Sequence, residues 1–102
     1  MEVGKQMKYV VDIDGTICTQ EKNYHDAKPK KEKIKMFNRL YDEGNTIWYF
    51  TARGTETEID WRFVTEKQFE DWGVRYHKLL FKKPSADVYV GDRMVNIENF
   101  EI

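Results

Sequence analysis

The sequence lacks the features that point to an oxidising compartment or to a membrane. Cys18 is its one cysteine, so neither an intramolecular disulfide nor a cysteine-based zinc site can form, which fits a reducing compartment. No apolar run approaches the roughly 20 residues of a membrane-spanning helix. Residues 1–8 are polar and lack the apolar stretch of a signal peptide. We therefore expect a cytoplasmic protein with no membrane partner.

An excess of charge of either sign is also absent. The chain has 17 Lys and Arg against 18 Asp and Glu, a formal net charge of −1. Such a balance provides no general electrostatic attraction to DNA or to an anionic membrane. We do not expect nucleic acid as a partner.

The chain does have enough apolar surface for a core, because 40% of its residues are hydrophobic and 15% are aromatic. A disordered chain would have far fewer aromatic residues. With 102 residues, however, the chain is too short to bury two cores. We predict a single domain over residues 1–102.

Short apolar runs alternate with stretches of helical spacing. Two amphipathic segments, which end near Gly44 and Gly73, predict helices. Four runs predict strands, at 9–13, 47–50, 74–81 and 87–90. Strands that alternate with helices indicate a mostly parallel sheet that is covered on both faces. The predicted fold is α/β, a three-layer α/β/α Rossmann-like domain.

Three of the predicted strands end in residues that can carry chemistry. Asp12 and Asp14 follow the first strand, Thr51 follows the second, and Asp92 follows the last. In open parallel sheets, ligands bind outside the carboxyl ends of the strands. The sequence thus predicts a functional site at this edge of the sheet.

The stretch Asp12-Ile13-Asp14-Gly15-Thr16 places two carboxylates where a buried strand gives way to a turn. One interpretation is structural, with both carboxylates serving the turn and a helix cap. The other gives each a task in phosphoryl transfer. Asp12 attacks phosphorus as a covalent nucleophile, whereas Asp14 protonates the leaving oxygen and later deprotonates the attacking water. Gly15 lets the backbone turn sharply beneath the phosphate.

Carboxylates repel a phosphate dianion, so this chemistry requires cations. Asp92 can complete a hard, oxygen-lined site for Mg²⁺ with Asp12 and the backbone carbonyl of Asp14. Lys83 can supply the other positive charge. The Thr51 hydroxyl can donate to a phosphoryl oxygen, where charge develops in the transition state.

Three more residues are predicted to bind the substrate. Thr16 belongs to the same turn as the carboxylates, and the backbone N–H of Ala52 can add a donor next to Thr51. Arg53 stands two residues beyond Thr51 at a strand end. Its alternatives are contact with the phosphate or leaving group and a surface ion pair.

At this point the sequence resembles the haloacid dehalogenase superfamily of phosphatases. Four elements match in order, namely DIDGT (12–16), the Thr of YFTAR (Thr51), a Lys of KKPSAD and VGD (90–92). Together they span residues 9–92. The stretches YFTARG and KPSADVYVGD are similar to those of a short, capless group that is often associated with capsule or polysaccharide biosynthesis loci.

The resemblance implies the roles already assigned to Asp12, Asp14, Thr51 and Asp92. An acid at Asp14 favours phosphate-ester cleavage, since dehalogenases of the superfamily lack it. Many relatives carry a second acid four positions after the last Asp, where this chain has Asn96. Two lysines are candidates for the third motif, Lys82 and Lys83, and the following Pro favours Lys83.

The segments between the motifs are too short for a cap domain, so the site should be open. An open site suits a bulky substrate, such as a phosphorylated saccharide, or a lid from a neighbouring subunit of a homo-oligomer. We therefore expect a Mg²⁺-dependent phosphatase. The alternatives are a phosphotransferase or phosphomutase of the same superfamily and a non-catalytic phosphate-binding or scaffold protein.

Overall fold

The computed structural model describes residues 7–55 and 57–82 and the backbone of 88–90. Within these residues, neither helix is long and apolar enough to cross a membrane. The elements follow the predicted order: β1 (Lys8–Asp12), a short 3-10 helix (Tyr24–Asp26), α1 (Lys31–Asp42), β2 (Thr46–Phe50), α2 (Arg62–Trp72), β3 (Lys78–Leu80) and β4 (Val88–Val90).

The strands form one parallel sheet in the spatial order β3-β2-β1-β4. Asp12 pairs with Phe50, and Phe50 pairs with Leu80, so three strands end at the same edge of the sheet. A helix lies in each of the first two connections, as parallel strands require a crossover. The predicted α/β class is confirmed.

One face of the sheet packs against both helices. The ring of Tyr49 meets Phe37 of α1 edge-on, with 6.4 Å between centroids, and meets Phe69 of α2 at 5.2 Å. Edge-on aromatic pairs are favourable beyond the area that they bury. The described helices therefore share one side, and a helical layer on the other face stays a prediction.

The helical spacing of α1 explains how it covers this face. Ile34, Phe37 and Leu40 recur every three residues and are all buried, which places them on one stripe of the helix. Full burial of each such side chain contributes roughly 1.5–3 kcal/mol. They pack in one cluster with Val11 and Ile47 of the sheet.

The start of α2 differs from the prediction, which placed it near Thr57. The helix begins at Arg62, because the preceding chain folds back on itself. Gly54 has φ +83°, and a Cβ there would lie 2.1 Å from the carbonyl oxygen of Ile59. Glu58 also has a positive φ, 59°, which is incompatible with a right-handed helix.

The buried residues of α2 also differ from the pattern. We expected Trp61, Val64, Phe69 and Trp72 to line its inner side, whereas the buried residues are Thr65, Gln68 and Phe69. Two of these three are polar, and burying a polar group is costly unless it is hydrogen-bonded. Their partners lie in the candidate site.

Tyr49 brings an unpaired polar group into this core. Its side chain is fully buried, and its hydroxyl has no hydrogen-bond partner in the part of the chain that the structure describes. Burial raises the pKa of this phenol well above its usual range. An unpaired buried hydroxyl costs about 1–3 kcal/mol.

We therefore expect Tyr49→Phe to increase the free energy of unfolding by about 1 kcal/mol, measured by urea denaturation. Tyr76→Phe is the control, since this ring packs on Phe69 at the edge of the same core, and it should change stability by less than about 0.5 kcal/mol. A loss of stability in Tyr49→Phe would contradict the absence of a partner.

Candidate active site

The candidate site lies where β1 and β2 end side by side. Just beyond β1, the N–H of Ile13 donates to the carbonyl of Phe50 over 3.1 Å, so the segments that follow β1 and β2 stay adjacent. Asp14 follows Ile13, and Thr51 follows Phe50. The Thr51 hydroxyl donates to Oδ2 of Asp14 over 2.8 Å. The sheet thus brings the two predicted motifs into direct contact.

A tight turn orients the carboxylates. Gly15 has φ +88°, a conformation that favours glycine, and its N–H donates to the carbonyl of Cys18 over 2.9 Å. The N–H groups of Thr16 and Ile17 both donate to the carbonyl of Ile13 over 3.1 Å. Ile13 and Ile17 are fully buried, so the core holds the turn in place.

Both oxygens of the Asp14 carboxylate are held by the protein. Oδ1 accepts from Nη2 and Nε of Arg53 over 2.9 and 3.1 Å, and Nε also lies 3.3 Å from Oδ2, so two nitrogens of the guanidinium bind the carboxylate in charge-assisted hydrogen bonds. Oδ2 accepts from Thr51, whose hydroxyl oxygen in turn accepts from the backbone N–H of Arg53 over 3.1 Å. The side chains of Arg53 and Asp14 are 0% and 13% exposed, so this ion pair is almost completely buried.

The rest of the Arg53 guanidinium faces α2. Its Nη1 donates to Oγ1 of Thr65 over 3.0 Å and to Oε1 of Gln68 over 2.7 Å, and its Nη2 also lies 3.8 Å from Sγ of Cys18. A guanidinium has five N–H donors, and the contacts to these residues and to Asp14 occupy all of them. These contacts explain why two polar residues of α2 are buried.

The loop before α1 joins the same network. The ring of Tyr24 lies 4.8 Å from the guanidinium carbon of Arg53, a cation–π contact. The amide nitrogen of Gln68 donates to the backbone carbonyl of Tyr24 over 2.7 Å, and the ring of Trp61 packs edge-on against Tyr24 at 5.0 Å. Arg53 therefore connects the turn after β1, this loop and α2.

A cleft of about 220 Å³ opens beside the carboxylates. A groove of about 430 Å³ shares Tyr24 and Ala52 with this cleft and extends along Trp61. The cleft is lined by Asp12, Asp14, Gln20, Glu21, Tyr24, Ala52 and Arg53. The nucleophile and the acid–base residue that the sequence predicts thus line one opening.

The remaining predicted residues are placed differently. Thr16 and Thr51 are fully buried, and the Thr16 hydroxyl has no hydrogen-bond partner among the described residues. Lys83, Asp92 and Asn96 lie outside the described residues. Their assigned roles stay predictions from the sequence.

Arg53 forms the ion pair that was the alternative to substrate contact, but the pair is buried and its partner is Asp14. The acceptors on α2 were not among the predicted site residues. Thr65 and Gln68 stand three residues apart and are buried on α2 with Phe69, and residues so spaced share a helix face. Polar residues on an apolar helix face are the signal that would have found them.

No protein-family model matches the chain, and no curated protein matches it. Among solved structures, it is similar to the crystal structure of a structural-genomics target from Vibrio cholerae, with a TM-score of 0.73 and 24% sequence identity. The match covers 91% of this chain and 85% of that chain. At this level of identity, the similarity shows a shared fold alone.

Cys18 is a buried thiol at the edge of the network. Burial raises its pKa to about 12, the negative charge of Asp14 adds to the rise, and Arg53 partly opposes it. A raised pKa means that the folded protein keeps the thiol protonated, and the thiolate is the reactive form.

Native Cys18 should therefore react slowly with iodoacetamide at both pH 8 and pH 10, because a pKa of about 12 leaves only a small fraction of the thiol as thiolate. Its rate should still rise about tenfold for each pH unit, since the thiolate fraction grows in that proportion below the pKa. In urea, the same thiol regains an ordinary pKa near 9.0 and should be labelled much faster, with a rate that levels off as the pH passes this value. Mass spectrometry of the labelled chain measures both rates. Rapid stoichiometric labelling of the native protein at pH 8 would contradict the buried environment.

Proposed function

We propose that the protein is a Mg²⁺-dependent phosphatase that hydrolyses a phosphate monoester through a phosphorylated Asp12. The observation that carries this proposal is that Asp12 and Asp14 line one cleft beside the carboxyl ends of parallel strands, with Thr51 bonded to Asp14. The motif order resembles the haloacid dehalogenase superfamily, and a capless, three-layer Rossmann-like fold of that type is part of the proposal.

The chemistry divides between the two carboxylates. Asp12 attacks phosphorus, the bond to the leaving oxygen breaks, and Asp14 gives a proton to that oxygen, so this step starts from the form in which the Asp14 carboxyl is protonated. In the second step, Asp14 takes a proton from a water molecule, which attacks the phosphorus and releases Asp12 and inorganic phosphate. The backbone N–H of Ala52 and the hydroxyl of Thr51 are the proposed donors to the phosphoryl oxygens, for which the Thr51 O–H must rotate away from Asp14.

The charge of the cleft supports a requirement for cations. Asp12, Asp14 and Glu21 give its described lining three carboxylates against the one guanidinium of Arg53, a formal charge of −2. A phosphate dianion is repelled by such a lining. Mg²⁺ prefers carboxylate and carbonyl oxygens, so the donor set fits this ion.

Among the described residues, no cluster of three His, Cys, Asp or Glu side chains is placed to hold a metal ion. Asp12 would contribute its carboxylate. The Asp14 carboxylate is already held by Arg53 and Thr51, which leaves its backbone carbonyl as the proposed ligand. Asp92 would complete the set. When bound, Mg²⁺ supplies positive charge that offsets the charge of the phosphoryl group.

The surroundings of the cleft support a substrate larger than a bare phosphate. The 430 Å³ groove begins at Tyr24 and Ala52 and is lined further by Lys22 and Trp61. Aromatic rings and a cation offer stacking and charge to a leaving group. We propose a phosphorylated saccharide or another bulky phosphate as the substrate of a cytoplasmic enzyme.

Asp12→Asn should abolish activity, because the substitution removes the anion that attacks phosphorus. We expect kcat to fall by about three orders of magnitude or more, measured with 4-nitrophenyl phosphate and Mg²⁺. Asp71→Asn is the control, since this exposed carboxylate pairs with Lys67 on the surface of α2, and its kinetics should match wild type. More than a few per cent of activity in Asp12→Asn would refute the nucleophile assignment.

Magnesium should also stabilise the folded protein, because it binds the assembled site and not the unfolded chain. The gain is about 2.7 kcal/mol when free Mg²⁺ is a hundred times Kd. Asp92→Asn removes a repelling charge, so it should raise the melting temperature in EDTA and abolish most of the shift that Mg²⁺ produces. If thermal melts show equal Mg²⁺ shifts for wild type and variant, Asp92 is not a ligand.

A further inference from the structure

We infer that Arg53 is a positioning residue for the acid–base carboxylate of Asp14 and does not contact the substrate. The inference rests on the proposed function, since it gives Asp14 its proton-transfer role. Arg53 would act on the reaction through Asp14. This role differs from the direct substrate contact that the position of Arg53 at a strand end suggested.

The guanidinium has no donor left for a phosphate. Its five N–H groups are all engaged by acceptors of the protein. The side chain is 0% exposed. A phosphate that bound to Arg53 would have to break a buried ion pair or strip the acceptors of α2, and either leaves buried polar groups unpaired.

The contacts of Arg53 also fix the Asp14 carboxylate in space. Nε and Nη2 of Arg53 donate to Oδ1 of Asp14, while Oδ2 accepts from Thr51. When the Thr51 O–H turns to the phosphoryl group, as the proposed function requires, the contacts of Nε with both oxygens and of Nη2 with Oδ1 still set the position and the plane of the carboxylate. Proton transfer requires this group to lie within hydrogen-bond reach of the leaving oxygen, so its orientation bears directly on the rate.

Groups outside the turn of Asp14 in turn hold the Arg53 side chain. Thr65 and Gln68 bind Nη1, and the ring of Tyr24 stacks against the guanidinium. These groups come from α2 and from the loop before α1. The orientation of Asp14 is therefore determined by the packing of α2 as well as by the turn in which Asp14 lies.

Kinetics with two leaving groups test the inference. Glycerol 2-phosphate needs a proton on its departing alkoxide, whereas 4-nitrophenyl phosphate has a good leaving group that needs little help. With Mg²⁺ present, Arg53→Met should lower kcat for glycerol 2-phosphate about tenfold more than for 4-nitrophenyl phosphate, with KM for both changed less than about threefold. Arg53→Lys should be intermediate, since lysine restores the charge without the fork.

A double-mutant cycle adds a second readout. Residues that act as a unit are not additive, so Asp14→Asn should cost almost nothing more in the Arg53→Met background. Arg75→Met is the matched control, because this exposed arginine pairs with Asp42 and makes none of the contacts described for the candidate site. It should leave kcat and KM for both substrates unchanged.

Where Arg53→Met fails to fold, as judged by circular dichroism, Gln68→Leu removes one of the two acceptors that α2 offers to Nη1 and keeps the pair of Arg53 with Asp14. It should show the same bias toward loss on glycerol 2-phosphate, to a smaller extent.

Three results would overturn the inference. One is an increase in KM for both substrates at unchanged kcat, which is the signature of direct substrate binding. The others are equal losses of kcat for the two leaving groups and losses from Arg53 and Asp14 variants that multiply. A wild type with no phosphatase activity would instead overturn the proposed function, and this inference with it, so the two failures are distinguishable.

Discussion

The burial of one guanidinium is the constraint on which the site and much of its surroundings depend. A buried charge is tolerated only when it is paired and its donors are satisfied. Arg53 obtains its counter-charge from Asp14 and its further acceptors from Thr65 and Gln68. Removing one partner of such a pair typically costs about 3–5 kcal/mol. The fold therefore requires the same contacts that hold the proposed acid–base residue.

This constraint also accounts for the unusual inner face of α2. A helix that packs only on a sheet would bury apolar side chains at helical spacing, yet α2 buries two polar residues beside Phe69. Its position is set by the guanidinium that it must reach. Since Gln68 also binds the carbonyl of Tyr24, one side chain joins the helix to the loop that lines the cleft. A displacement of α2 would therefore move Arg53 and, with it, the Asp14 carboxylate.

Much of the fold could be predicted from the sequence, because short β-branched runs and helical spacing are local signals. They predicted strands that end at 13 and 50 and a helix that ends near Gly44, each within one or two residues of the ends of β1, β2 and α1. The start of α2 could not be predicted in this way, because it depends on a close approach of Gly54 to Ile59 that the spacing of residues does not reveal. The partners of Arg53 were also invisible, because Thr65 and Gln68 lie 12 and 15 residues away and are ordinary surface types.

The geometry around Arg53 demands an arginine and not merely a cation. Its donors point in two opposed directions, with one edge of the fork on Asp14 and the far nitrogen on α2. A lysine ammonium is a compact point charge with three donors, so it can meet the carboxylate or the helix but cannot bridge them. Replacing Arg53 by lysine would keep the charge balance of the cleft while leaving at least one buried acceptor unpaired. The shape of the guanidinium, more than its charge, is what allows one residue to couple the sheet edge, the loop and α2.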